Sequence, residues 1–201
     1  MKLPRTVLAL GAVSFLTDAS SEMIYPLLPV FLSTVLGAGP AALGVIEGVA
    51  ESLSSFLKIA SGKWSDRSGK RVAPVAGGYF LAGFCRPLIG LATGWWHVLA
   101  LRSLDRVGKG IRTSPRDALI ADVTEEKVRG AAFGFHRAMD HAGSVVGPLV
   151  AALLLRGMGV PIRDVFLLAA IPAALVILVL AAFVREPATH KAELAEGLSS
   201  D

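Results

Sequence analysis

Apolar residues dominate six stretches of the chain, and short polar breaks separate them. The six stretches cover residues 7–36, 41–62, 72–93, 95–121, 130–155 and 160–184. Each has about the 20 residues that an α-helix needs to cross a bilayer, and none alternates like a membrane β-strand. The pattern therefore predicts an all-α membrane protein, with six transmembrane helices in residues 1–184 and a polar cytoplasmic tail or linker start over 185–201.

The composition agrees with a membrane location and argues against several soluble classes. Apolar residues make up 53% of the chain and charged residues 18%, against about 45–50% and about 25% in globular proteins. The single cysteine, Cys85, excludes a disulfide framework and a multi-cysteine zinc module. The net charge of +4 comes without a basic run interleaved with aromatic residues, which argues against a nucleic-acid partner. We expect membrane lipid as a partner, and neither a resident metal nor a cofactor.

Basic residues outside the spans are unevenly distributed, and this predicts the orientation. Ten of them fall at the termini or in the breaks on the same side: Lys2, Arg5, Lys63, Arg67, Lys70, Arg71, Lys127, Arg129, Arg185 and Lys191. Only Arg156 and Arg163 fall on the opposite side. Because basic residues are retained in cytoplasmic segments, both termini are predicted to be cytoplasmic. A bacterial inner membrane is the expected location.

The N-terminus has one other interpretation. Lys2 and Arg5, followed by an apolar run over residues 7–16, resemble a cleavable signal peptide. However, Asp18 stands where a small-residue cleavage site would fall, and apolar residues resume over 24–36. A first transmembrane helix is therefore the preferred interpretation.

Fifteen charged residues lie inside the predicted spans. The bases are Lys58, Arg86, Arg102, Arg106, Lys109, Arg112, Arg116 and Arg137. The acids are Asp18, Glu22, Glu47, Glu51, Asp105, Asp117 and Asp140. A charge at a lipid-facing helix centre costs about 2.5–3.5 kcal/mol on insertion scales, so most of these groups must face protein or water. The chain is therefore predicted to have a polar, extensively ion-paired interior at membrane depth.

Helical spacing places these charges on defined faces. Asp18 and Glu22 are four residues apart in the first span, as are two glutamates in the second. One stripe of the fourth span carries five bases and Asp105, which is spaced to pair with Lys109. We predict that the acidic first span faces this stripe across a cavity. The residues expected along the solute or ion path are Asp18, Glu22, Glu51, Arg102, Asp105, Arg106, Lys109 and Arg112. The alternative is that the ion pairs only hold the helices together.

The fifth span contains a second polar cluster. Its members are His136, Arg137, Asp140 and His141, and the first and third of these are four residues apart. The cluster is a candidate proton relay. A metal site would need a third ligand that the nearby sequence does not supply, and a satisfied polar patch is the remaining alternative.

The break after the second span carries a family signature. It reads Gly-Lys-Trp-Ser-Asp-Arg-Ser-Gly-Lys-Arg over residues 62–71. This resembles the major facilitator superfamily motif Gly-xxx-Asp-Arg-x-Gly-basic-basic between helices two and three. Residues 102–110 resemble the superfamily's fourth-helix arginine motif. Residues 143–148 resemble its fifth-helix motif associated with antiporters, and this stretch supplies the helix-packing residues Gly143, Gly147 and Pro148.

The resemblance implies both a fold and a gate. It covers the whole chain but only the amino-terminal six-helix half of such a transporter, a half-bundle of two inverted three-helix repeats. The implied cytoplasmic gate residues are Gly62, Asp66, Arg67, Gly69, Lys70, Arg71 and Asp122. Within the gate, Asp66, Arg67, Lys70 and Asp122 would form a charge relay against a second half. That half would be another copy in a homodimer, a separate chain or a missing carboxy-terminal half.

The predicted function is secondary active transport by alternating access. The solute is expected to be small and charged or zwitterionic, because the predicted cavity carries both signs of charge. Proton coupling is expected because carboxyl groups shielded from water, such as Asp18 and Glu22, can exchange protons. The alternatives are a membrane-embedded enzyme using His136 and Asp140 for acid–base chemistry, and an assembly subunit with no transport of its own.

Overall fold

The computed structural model describes residues 3–186, and within them six long helices account for most of the chain. They are α1 (Arg5–Val35), α2 (Pro40–Ser68), α3 (Val72–Leu91), α4 (Trp95–Asp122), α5 (Glu126–Gly157) and α6 (Ile162–Phe183). In this part of the chain, α1, α3, α5 and α6 are long and apolar enough to cross a membrane. Helices α2 and α4 have 29 and 28 residues and carry many of the charges inside the predicted spans. The all-α, six-helix prediction is confirmed, whereas the crossing of all six helices stays a prediction.

Several helices contain short segments of other helical types. In α1, regular α-helix covers Arg5–Glu22, and 3₁₀, α and π turns follow over Tyr25–Leu27, Leu28–Val30 and Phe31–Val35. Pro26 and Pro29 lie in this stretch, and proline removes the N–H group that a regular helix needs. Helix α3 ends in a 3₁₀ turn, α5 begins with one and ends in a π turn, and α6 is interrupted after Leu168.

The second helix is longer than the sequence predicted. The predicted span ended at residue 62, and residues 63–71 were assigned to a loop; in the structure α2 continues to Ser68. Gly69 then ends the helix with a left-handed φ of 65° and donates its N–H to the Ser65 carbonyl at 3.0 Å, as C-terminal glycines do. Polarity marked the membrane boundary here but not the helix end, because polar residues such as lysine and arginine are good helix formers.

Close helix packing depends on glycines at two crossings. Gly78 of α3 and Gly108 of α4 lie against each other's backbone carbonyls with no room for a side chain. Gly143 of α5 likewise lies against the Phe15 carbonyl of α1, and a Cβ at Gly147 would stand 2.6 Å from the Ala19 carbonyl oxygen. Helix α1 therefore packs closely on α5, and α4 packs closely on α3; α4 also packs on α2, and α6 covers both α1 and α3.

Two apolar cores lie at opposite ends of the bundle. One includes Leu28, Phe31, Ile89 and Phe166. The other includes buried residues such as Leu10, Val75, Leu119 and Leu180. Between the two cores, α1, α3 and α4 carry polar or charged residues such as Asp18, Arg86 and Asp105. The fold therefore encloses a polar layer between two apolar ones.

Arg163 joins three helices at one end of the bundle. Its guanidinium donates to the Gly90 and Ala92 carbonyl oxygens at 2.6 and 2.9 Å and lies 5.3 Å from the centre of the Phe31 ring. The carbonyls at the end of α3 thus gain a charged donor from the start of α6. This contact joins α1, α3 and α6 at the end that contains the Phe31 core.

Candidate functional site

A buried carboxylate, Asp105, is the centre of the polar layer. Its residue is 1% exposed, and its two oxygens accept hydrogen bonds from Arg86 Nε at 2.8 Å, Arg102 Nη1 at 3.2 Å and Tyr25 Oη at 2.5 Å. Arg86 also donates to the Thr17 carbonyl at 2.9 Å. Charge-assisted bonds of this kind are strong, so Asp105 joins α1, α3 and α4.

Helix α2 supplies the remaining carboxylates that pair with the arginines in the N-terminal half of α4. Arg102 forms a bidentate ion pair with Glu47 through two hydrogen bonds of 2.9 Å, and its guanidinium lies 3.5 Å from the centre of the Tyr25 ring. Arg106 lies 3.9 Å from Glu51. We call the group formed by Asp105, Arg86, Arg102, Glu47 and Tyr25 the Asp105 cluster.

The pairing differs from the sequence prediction in two respects. The glutamates that pair with Arg102 and Arg106 come from the second helix, whereas the prediction took the acids from the first. In addition, Asp105 pairs with two arginines rather than with Lys109. Glu47 and Arg86 were left out of the predicted path residues. The four-residue spacing between Glu47 and Glu51 was a usable signal for the former, but Arg86 is an isolated base whose role depends on tertiary packing.

A charged cavity of about 350 Å³ lies further along α4. Asp18 of α1 and Lys109 and Arg112 of α4 line it, although no ion pair joins Asp18 to either base. The cavity is also lined by Lys58, Arg116, Arg137, Asp140, His141 and several hydroxyl-bearing residues. Glu22 is placed elsewhere, against Gly147 of α5. The predicted path residues are therefore divided between the Asp105 cluster, the Arg106–Glu51 pair, the cavity and the position of Glu22.

The polar residues of α5 are grouped around Asp140. This carboxylate accepts a hydrogen bond from Ser14 of α1 and lies 3.6 Å from both His136 Nδ1 and Arg137 Nη1. His136 is buried, and its Nε2 has no hydrogen-bond partner among residues 3–186. The four candidate relay residues thus lie on neighbouring turns, with Arg137, Asp140 and His141 reaching the cavity. Across residues 3–186, no three His, Cys, Asp or Glu side chains are grouped as metal ligands.

A second ion-pair group lies where α2, α3, α4 and α6 end or begin. Arg71 donates to Asp66 at 2.6 Å and to Asp122 at 3.2 Å. Burial opposes the charge of Arg71, but the two carboxylates outweigh it and raise the pKa of Arg71 above its ordinary value. Glu186 accepts the backbone N–H groups of Arg71 and Val72 at 2.6 and 3.0 Å, which neutralises the start of α3.

The relay implied by the resemblance would act against a second half and stays a prediction. Arg67 and Lys70 are exposed, and the base between Asp66 and Asp122 is Arg71. Arg67 lies in the last turn of α2, and Lys70 follows Gly69, where the helix ends. Glu186 was not predicted, since it lies outside the signature; the rest of the predicted tail, residues 187–201, lies outside the described residues.

The sequence profile of the Major Facilitator Superfamily matches residues 10–199. The chain belongs to this superfamily. It is 36% identical to an uncharacterized MFS-type transporter of Methanocaldococcus jannaschii over 99% of this chain and 50% of that protein. It is 31% identical to the multidrug resistance protein MdtG of Enterobacter lignolyticus over 86% of this chain and 41% of that protein. The chain thus spans about half the length of the curated relatives it matches.

Solved superfamily structures share the fold over the same portion. A bacterial homologue of the human lysosomal transporter Spinster, inward-facing and occupied, matches 90% of this chain and 44% of its own with a TM-score of 0.77 and 24% identity. A mutant peptide transporter POT in complex with alafosfalin matches 98% of this chain and 44% of its own chain, with a TM-score of 0.78 and 18% identity. The chain is a multi-pass membrane protein of a transporter family. This is a family of transporters and not of enzymes, in agreement with the prediction that the chain is not an enzyme.

Proposed function

We propose that the chain is the amino-terminal half of a secondary transporter that moves a small charged solute by alternating access, coupled to protons. The observation that carries this proposal is the charged cavity between two apolar cores. Charged side chains at membrane depth face a water-filled path or a partner protein, because lipid does not solvate them. A cavity with both signs of charge can bind a solute and exchange protons at the same place.

The pattern of helix contacts supports two inverted three-helix repeats. Exchanging α1 with α4, α2 with α5 and α3 with α6 turns the α2–α4 contact into the α5–α1 contact. The same exchange turns α3–α4 into α6–α1 and leaves α3–α6 unchanged. Such internal symmetry is typical of transporters whose site lies where the repeats meet. It also agrees with an even number of crossings and with both termini in the cytoplasm.

An open polar face supports the need for a second half. The side chains of Glu47, Glu51 and Arg137 are 40%, 55% and 60% exposed although they lie beside the polar layer. Gly44 and Gly48 of α2 have no neighbour where a side chain would project. Exposure of charges at this depth to lipid is costly, so we assign this face to contact with a second six-helix bundle or to the path between the two bundles.

Asp18 is the proposed proton site. It lines the cavity with Lys109 and Arg112, so gain of a proton removes a counter-charge from these bases and changes how they hold a solute. Glu22 shares the helix face but lies against Gly147, and we therefore assign coupling to Asp18 alone. The residues around Asp140 would relay the proton along α5.

The first prediction tests this coupling. The complete transporter, with its second half, is reconstituted in vesicles that contain a pH-sensitive dye, and small ionic solutes are added outside one at a time. We expect solute-dependent proton movement in the unaltered protein and its loss in Asp18→Asn, because an amide does not ionise near neutral pH and cannot carry a proton through the transport cycle. Asp164→Asn is the matched control, since Asp164 is exposed at the start of α6. Proton coupling that persists in Asp18→Asn would contradict the assignment.

A further inference from the structure

The cavity contains more positive than negative charge. Its bases are Lys58, Lys109, Arg112, Arg116 and Arg137, and its acids are Asp18 and Asp140. Two of the bases have carboxylates at hand: Arg116 contacts Asp117 at 2.8 Å, and Arg137 lies 3.6 Å from Asp140. After these pairs, three bases and one acid remain. The cavity therefore has an excess of two positive charges over the residues that the structure describes.

Arg112 is the most unusual of the three remaining bases. The residue is 4% exposed, and its Nε and Nη1 atoms have no hydrogen-bond partner among residues 3–186. Its guanidinium lies 4.3 Å from the centre of the Tyr79 ring, which holds the group in place without neutralising it. Buried cations are normally paired because an unpaired one is costly. Arg112 therefore has two buried N–H donors that no acceptor within residues 3–186 satisfies.

Arg102, on the same helix α4, has carboxylate partners that Arg112 lacks. Arg102 faces Asp105 and Glu47, only two to three turns earlier on α4. No Asp or Glu of residues 3–186 forms an ion pair with Lys58, Lys109 or Arg112. Lys109 and Arg112 are three residues apart and share a helix face. Among the eight bases inside the predicted spans, the three without an ion-pair partner in residues 3–186 thus line one cavity.

We propose that this cavity binds the transported solute through a doubly charged oxyanion, such as a phosphate monoester group, held by Arg112, Lys109 and Lys58. The guanidinium fork matches two phosphate oxygens, and the two ammonium groups add charge. Thr17 Oγ1, which is buried without a partner and lines the cavity, supplies a further donor. A dianion matches the excess charge, whereas a cation or a neutral solute leaves Arg112 unpaired. This inference rests on the proposed transport function and names its substrate class.

Equilibrium binding tests the site without requiring transport. The complete transporter, purified in detergent, is titrated with inorganic phosphate at a pH above the second pKa of phosphate, where the dianion predominates, at constant ionic strength set by chloride. Because a ligand that binds only the folded state raises the melting temperature, we expect a rise that grows with the logarithm of the phosphate concentration, a smaller rise with acetate and none with tetraethylammonium. No rise with phosphate, or an equal rise with added chloride, would overturn the proposal.

Variants with opposite expected signs separate a binding role from a structural one. Lys109→Gln and Arg112→Gln should each weaken phosphate binding by about tenfold or more, as the loss of a charge-assisted hydrogen bond does. Asp140→Asn should tighten it, because it removes an opposing charge from the cavity. Arg156→Gln, at an exposed base on another part of α5, should leave it unchanged. If Arg112→Gln does not fold, Lys109→Gln and Asp140→Asn still decide the matter, since equal affinities in both would contradict the proposal.

The outcome is independent of the coupling experiment. Phosphate binding that fails, together with solute-driven proton movement that depends on Asp18, would overturn only the substrate class. Phosphate binding that holds, together with proton movement that does not depend on Asp18, would overturn only the coupling assignment.

Discussion

Helix α4 carries two groups of basic residues that look alike in the sequence and differ in their surroundings. Arg102 and Arg106 face the carboxylates of Asp105, Glu47 and Glu51. Lys109 and Arg112, one to two turns further on, face a cavity and no paired carboxylate among residues 3–186. The first group is neutralised within the fold, and the second is not.

The comparison indicates how one helix can serve both stability and binding. In the Asp105 cluster every buried charge has its partner at 3.2 Å or less, so removal of one member strands the others. In the cavity, Lys109 and Arg112 have no carboxylate partner, so removal of either base leaves no buried carboxylate without its counter-charge. Stability and binding should therefore respond in opposite ways to substitutions on the same stripe.

The largest effect is expected from Asp105→Asn. The substitution leaves Arg86 and Arg102 short of their shared carboxylate, and loss of one partner from a buried ion pair costs about 3–5 kcal/mol. Reversible unfolding in mixed detergent micelles, followed by circular dichroism, measures the loss. Asp164→Asn is the control, since Asp164 is exposed in the first turn of α6 and its loss should cost about 1 kcal/mol or less. Equal losses in the two variants would show that burial of Asp105 does not matter.

The next effect contrasts two buried arginines by the same substitution. Arg86→Met removes a partner of Asp105 and should cost about 3 kcal/mol. Arg112→Met removes a base with no carboxylate partner and should change the free energy of unfolding by about 1 kcal/mol at most, with its contact to Tyr79 the main loss. The same unfolding assay measures both. A loss in Arg112→Met as large as that in Arg86→Met would indicate that Arg112 is a structural residue.

The fold was largely predictable from the sequence because membrane helices leave strong local signals. Apolar length gave six helices, and the Gly-xxx-Asp-Arg-x-Gly pattern at 62–71 indicated the family. The end of α2 was missed because the polarity of residues 63–68 reports the membrane boundary, whereas the helix end depends on Gly69. Spacing on α4 correctly grouped its charges on one stripe.

The partners of those charges were less predictable. Asp105 was assigned to Lys109 on spacing within one helix. Arg86 reaches Asp105 because α3 crosses α4 at Gly78 and Gly108, whereas Arg102 lies three residues away on α4 itself. The choice of Arg71 over Arg67 and Lys70 depends on how α2 ends. Both are tertiary facts, and a spacing rule along one chain segment does not contain them.

The charge of the cavity is the central claim, and thiol labelling in membrane vesicles measures it directly. Ser144 lines the cavity, and Ser33 is exposed on the other end of the bundle. Ser144→Cys and Ser33→Cys are made in a Cys85→Ala background and treated with anionic and cationic methanethiosulfonates, with rates scaled to those of a free thiol. An excess of positive charge predicts that the anionic reagent is favoured about tenfold at position 144 and not at position 33. Equal rates at position 144, or a preference for the cation, would contradict the account.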